Sequence, residues 1–179
     1  LNLQKSKKMR REIKINSTTG SELLTTQEVK DYVRIDTSSD DAIISAMITQ
    51  ARIWCENYIS KDIVSKNRTY YLSHTNGVYD LPFGPVTSIS EITIDGTATT
   101  DYEILGLDNE TIDLDSSSAE NVKSTYITTG INDALIKQAM LQLISTYYDN
   151  RSDFKTGTIA QEIPTSTTSI LTSYKTMFI

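Results

Sequence analysis

The sequence predicts an α+β protein: a mostly helical bundle of three main helices, with a β-hairpin region inserted between the second and third and extended arms at both ends. Three observations predict it. Residues 39–60 and 132–151 carry apolar side chains at the 3.6-residue period of an amphipathic helix. Residues 66–129 break into short runs rich in Val, Ile, Thr and Tyr, separated by Asn-Gly, Pro-Phe-Gly-Pro, Asp-Gly and a Ser-rich patch. Neither end of the chain sustains either pattern.

Taken in order, residues 1–23 are polar and basic, too poor in apolar side chains to offset the entropy of ordering them, and read as an arm. The first helix is expected at about 26–35. Thr25 with Glu28 three residues on forms a capping box, and Val29, Tyr32 and Val33 share one face. The second, at 39–60, starts where Ser38 and Asp41 repeat the capping spacing and where acids at 40 and 41 suit the positive end of the helix dipole. Its stripe is Ile44, Met47, Ile48, Ala51, Trp54, Cys55 and Tyr58.

Six strands are expected in "RTYYLS", "GVYDLP", "ISEITID", "DYEILG", "ETIDLD" and "STYITTG", with hairpins at Asn-Gly and Asp-Gly, whose residues tolerate the positive φ of tight turns. The third helix, at 132–151, is capped by Asn132 and buries Ile136, Ala139, Met140, Leu143, Ile144 and Tyr147. The tail, 156–179, is rich in Thr and Ser but ends in Ile170, Leu171, Tyr174, Met177 and Phe178, an apolar set that calls for a docking surface. This gives a basic arm at 1–23, one domain at 24–155 and a docking tail at 156–179.

The 179-residue chain has a net charge of -6, unevenly spread. Residues 1–24 hold six bases (Lys5, Lys7, Lys8, Arg10, Arg11, Lys14) against Glu12 and Glu22, a net +4. Residues 80–133 hold eleven acids against Lys123, a net -10. The run "KSKKMRR" therefore suits contact with an acidic protein surface, contact with DNA phosphates, or plain solvation.

Catalytic and cofactor templates fail one by one. There is no phosphate-binding glycine loop, no serine elbow, no HExxH and no CxxC. Cys55, the single cysteine, lies on an apolar helix stripe, where a small buried hydrophobe is the ordinary reading, and His74 lies in a polar turn-like stretch. The acid-rich run "LDNETIDLDSSSAE" lacks the alternating Asx residues and glycine of a calcium loop. The expectation is no enzyme, no cofactor and no metal. No run of 18 apolar residues is present, so no membrane partner is expected.

The ordered series "LTTQEVKDYVRID", "DDAIISAMITQARIWCENYI", "LPFGPVTSISEITIDG", "YEIL", "ALIKQAMLQLISTYYDNR" and "EIPTSTTSILTSYK" resembles the phage head-tail connector family, also called head completion or adaptor proteins. The resemblance spans about residues 24–175. It departs from the family at Val33, where leucine is usual, in the Thr/Ser run after Pro164, where the family often has Phe-Gly, and in the basic arm.

The resemblance implies a structural virion protein made in the host cytoplasm. Such a protein forms a homo-oligomeric, dodecameric ring in the neck, extends the DNA channel below the portal, and seals or adapts the capsid vertex for tail attachment. Its implied partners are the portal protein, tail or further neck proteins, and DNA passing without sequence-specific binding. It makes the helix pair 39–60 and 132–151 a wedge in the ring, and Ile170, Leu171, Tyr174 and Phe178 the portal-docking residues. The basic arm, Lys5, Lys7, Lys8, Arg10 and Arg11, would meet the portal, a neighbouring subunit or DNA. The alternative is a nucleic-acid-binding module acting through that arm.

Overall fold

The computed structural model describes residues 9–150 and 164–175. Among these, the elements run β1 (Arg11–Thr18), α1 (Thr26–Val33), α2 (Asp41–Ile59), β2 (Lys66–Thr75), β3 (Val78–Asp80), β4 (Val86–Ile94), β5 (Thr97–Thr99), β6 (Tyr102–Leu105), β7 (Thr111–Leu114), β8 (Ala119–Thr128), α3 (Ala134–Asp149) and α4 (Thr165–Thr172). They gather into two compact units. One holds the strands, from residues up to Gly20 and from Ser65–Gly130; the other holds the helices, from Ser21–Val64 and from Ile131 onward.

This corrects the expectation of a mostly helical bundle with three main helices: among the described residues the fold is four helices plus eight strands in two antiparallel sheets. Strand content was underestimated because most of the pairing is between segments distant in sequence. Local hairpin chemistry does not announce such pairing.

In the helical unit the capping box forms as its sequence requires. Thr25 Oγ1 accepts from the Glu28 N–H at 3.2 Å, and Glu28 Oε2 accepts from the Thr25 N–H at 2.7 Å. Hydrogen bonds donated to the Glu28 carboxylate, first by the Thr25 backbone N–H and then by the Thr25 hydroxyl, hold it below its ordinary value. The cap of α3 falls one residue later than expected: Asp133, not Asn132, accepts from the Leu135 N–H at 2.7 Å. The core is one cluster that includes Leu24, Val29, Ile44, Ile48, Ala51, Cys55, Ile59, Ile136, Met140, Leu143, Ile144 and Leu171. The apolar stripes expected for α2 and α3 meet in it.

In the strand unit a five-stranded antiparallel sheet has the order β1-β2-β8-β4-β5, and a three-stranded one the order β3-β7-β6. The pleat of β2 buries Lys66, Arg68, Tyr70 and Leu72 on one face, opposite Thr128, Tyr126, Ser124 and Val122 of β8 or their immediate neighbours. Tyr79, Leu81, Ile112 and Leu114 from the β3–β7 part of the chain complete the same core, and the Tyr79 hydroxyl bonds Ser124 Oγ at 2.7 Å inside it.

The Asp95-Gly96 pair makes the expected β4–β5 hairpin, both residues at positive φ (50° and 84°). Asn76-Gly77 does something else: β2 and β3 belong to different sheets, so the turn carries the chain from one to the other. Gly77, at φ 98°, leaves no room for a side chain, since a Cβ there would stand 2.8 Å from the Ser116 carbonyl oxygen.

Candidate assembly surfaces

The helical unit is closed by charge as well as by packing. Arg52, almost fully buried, donates from Nε and Nη2 to both carboxylate oxygens of Glu22 (2.8 and 3.0 Å) and from Nη1 to Glu56 Oε2 (3.0 Å). The other oxygen of Glu56 accepts from the Ile63 and Val64 N–H groups at 3.0 and 3.3 Å. One guanidinium thus ties the segment before α1, the middle of α2 and the segment after it. Its fork geometry suits this, since it offers parallel donors to a carboxylate and never loses its charge. Nothing in the periodicity of the sequence pointed to this network. The Arg52/Glu56 spacing of four along a helix was the available clue.

The tail expected to dock on a partner is, from Pro164 to Lys175, part of the same unit. Leu171 is completely buried in its core, while Ile170 and Tyr174 are half-buried at its margin. Ser166 and Thr167 donate to Gln142 Oε1 at 3.0 and 3.2 Å, and Thr172 bonds the Tyr58 hydroxyl at 3.1 Å. Tyr174 donates to the Asp133 carboxylate, which pushes the tyrosine up to about 12 and holds Asp133 below its ordinary value. Phe178 and Met177 lie outside the described residues.

The strand unit is open at its margins. All eight residues of β1 are exposed, although the strand is paired along its length with β2. Residues 11–18, expected to be part of a loose arm, are therefore an edge strand. The available signal was the short alternation of Ile13 and Ile15 with Glu12, Lys14 and Asn16. Arg10 pairs with Glu12, and Arg11 Nε faces Met9 Sδ at 3.2 Å. Lys5, Lys7 and Lys8 lie outside the described residues. Beside β1, an open cleft is lined by Arg10, Glu12, Lys14, Tyr71 and Lys123. At the other side of the unit, Glu91, Asp95, Asp101, Glu103 and Asp108 are all exposed, and so are Ile104, Leu105 and, completely, Leu107.

The residues weighed for chemistry are placed as follows. Cys55 is buried in the helical core, and that burial, with Glu56 beside it, pushes the thiol up to about 12, so it stays protonated. His74 is in β2 rather than in a turn, with Nε2 3.2 Å from Asn76 Oδ1. Among the described residues no group of three His, Cys, Asp or Glu could hold a metal ion, and no helix is long and apolar enough to cross a membrane.

Residues 22–177 match the family described as Head completion protein, and the chain belongs to that family. The fold is shared with chains solved as "Neck of empty GTA particle computed with C6 symmetry" (16% identity, TM-score 0.73, 94% of this chain and 97% of that one) and "Neck of native GTA particle computed with C12 symmetry" (15%, 0.73, 94% and 97%). A third comes from "Virion of native gene transfer agent (GTA) particle" (14%, 0.73, 93% and 96%). No curated protein matches by sequence.

Proposed function

We propose that the chain is a non-enzymatic structural protein of a virion neck. It forms a homo-oligomeric ring between portal and tail, extends the DNA channel and adapts the capsid vertex for tail attachment. The observation that carries this is membership of the Head completion protein family over residues 22–177. The near full-length likeness to necks solved with C6 and C12 symmetry supports a ring of twelve subunits.

Portal docking falls to the end of the chain, with Ile170, Tyr174 and Phe178 as contacts and Leu171 as the anchor that holds α4 in place. Because Leu171 fills the helical core, removing all of α4 would unfold what it tests. The informative deletion removes residues 176–179 alone, combined with Tyr174→Ala. Co-sedimentation of the purified chain with its portal tests the proposal. Portal-bound rings that weaken with the truncation support it; a chain that ignores the portal and is retained by DNA in low salt contradicts it.

A further inference from the structure

The two sheets of the strand unit end unevenly, and the mismatch leaves one apolar strip uncovered at each. In the five-stranded sheet, Ile13 stands opposite Tyr70, and Ile15 opposite Arg68. Directly opposed residues of an antiparallel pair share a face. Ile13 and Ile15 therefore continue the face on which Tyr70 and Leu72 are buried (8% and 3% exposed), yet they are themselves 39% and 49% exposed. The core side of β1 is thus only partly covered; among the described residues the second sheet has three strands to the first sheet's five.

In that second sheet, Ile104 of β6 stands opposite Ile112, which is fully buried, and Tyr79 lies on the same row. Ile104 continues this buried face outward and is 44% exposed. β6 follows β5 after two residues, with the Tyr102 N–H bonded to the Thr100 carbonyl at 3.0 Å. Since β5 is the margin of the five-stranded sheet farthest from β1, the two uncovered strips lie at opposite ends of the unit.

The two ends also differ in charge. Arg11 and Lys14 are exposed along β1, beside an Arg10 that is paired with Glu12; Asp95, Asp101, Glu103 and Asp108 are exposed around β5 and β6. An eight-residue edge strand presents a row of unpaired N–H and C=O groups, a template with which another chain can pair.

We propose that neighbouring copies of this chain join head to tail through the strand unit, the basic β1 margin of one copy receiving the acidic β5–β6 margin of the next. The occupant of the open edge is then a second copy, with Ile104 of that copy covering Ile13 and Ile15. Two unlike patches at opposite ends make a heterologous contact, the kind that closes into a ring when the rotation between copies permits. Complementary charge sets the register and direction. This inference rests on the ring reading above and names the surfaces that build the ring.

The test is a charge swap measured on the full chain with its portal. Arg11→Glu with Lys14→Glu, and separately Asp101→Lys with Glu103→Lys, should each reduce portal-bound rings about tenfold or more, because like charges then face each other. Combining all four substitutions should restore them. As an independent readout, a chain with Ile15→Cys and Ile104→Cys should give oxidative ladders of several copies, whereas Ile15→Cys alone should give no dimer. Failure of the wild-type chain to form a ring would remove the neck reading and this interface with it. Three results would overturn the interface alone: wild-type rings indifferent to the single reversals, dimers cross-linked through Ile15→Cys by itself, or a loss that the fourfold variant does not restore, which would assign the β1 edge to a different protein.

Discussion

In the helical unit, α4 packs back onto α2 and α3, Leu171 becomes completely buried, and a buried guanidinium joins three separate segments. In the strand unit, β1 closes one side of β2 and is then left with all eight residues exposed, while Leu107 projects fully into solvent at the other margin. The helical unit ties its separate segments together internally while leaving Ile43, Ile53 and Leu135 exposed on its helices; the strand unit leaves exposed residues along both of its margins. A buried charge network contributes little net stability over a well-packed apolar substitute, but it penalises any arrangement in which one partner is missing.

The contrast is most easily broken at Arg52. Arg52→Ala removes three hydrogen bonds that a buried guanidinium donates to Glu22 and Glu56 and should cost about 3–5 kcal/mol in a denaturant melt. If that variant unfolds with near wild-type stability, the helical unit is not locked in the way described. Next in size is Gly77→Ala, which places a side chain at φ 98° against the Ser116 carbonyl and should cost about 1–3 kcal/mol. A loss confined to strand signals in hydrogen exchange would show that the two units open separately.

Smaller effects sharpen the picture. Thr25→Ala should cost about 1 kcal/mol by removing one half of the capping box. The other half makes a pH prediction. Glu28 is held below its ordinary value of 4.5, and Asp133 below 3.8, so both add stability that is fully present above those values and lost as pH falls through the lowered ones. Glu28→Gln should flatten the acid side of the stability profile without moving the neutral plateau by more than about 1 kcal/mol. Smallest of all, Arg11→Glu with Lys14→Glu should change the stability of the chain by no more than about 0.5 kcal/mol, since both side chains are exposed. A large destabilisation there would mean that β1 is needed for the fold instead of being available for contact.

What was legible in the sequence follows from what is local. The stripes of α2 and α3, the Thr25–Glu28 box and the Asp95-Gly96 turn are each written within a few residues, and each is found in place. What escaped depends on distant partners. β1 carries only a short alternation of its own and is completed as a strand by pairing with β2; α4 is a Thr/Ser-rich segment of low intrinsic helix propensity that is helical where Leu171 and Thr167 are buried. The Arg52 network joins Glu22 to Val64 through a side chain that a hydrophobic pattern treats as noise. The family was readable from the order of its blocks; the margins that would build the assembly were not, because they depend on which strands lie at the edges.

The most direct measurement is the mass, by native mass spectrometry, of the species formed when the purified chain is mixed with its portal. The expected result is a portal carrying one ring, of twelve copies if the C12 symmetry of the structurally similar neck holds here. A portal peak unchanged in mass beside free 20.0 kDa chain would contradict it.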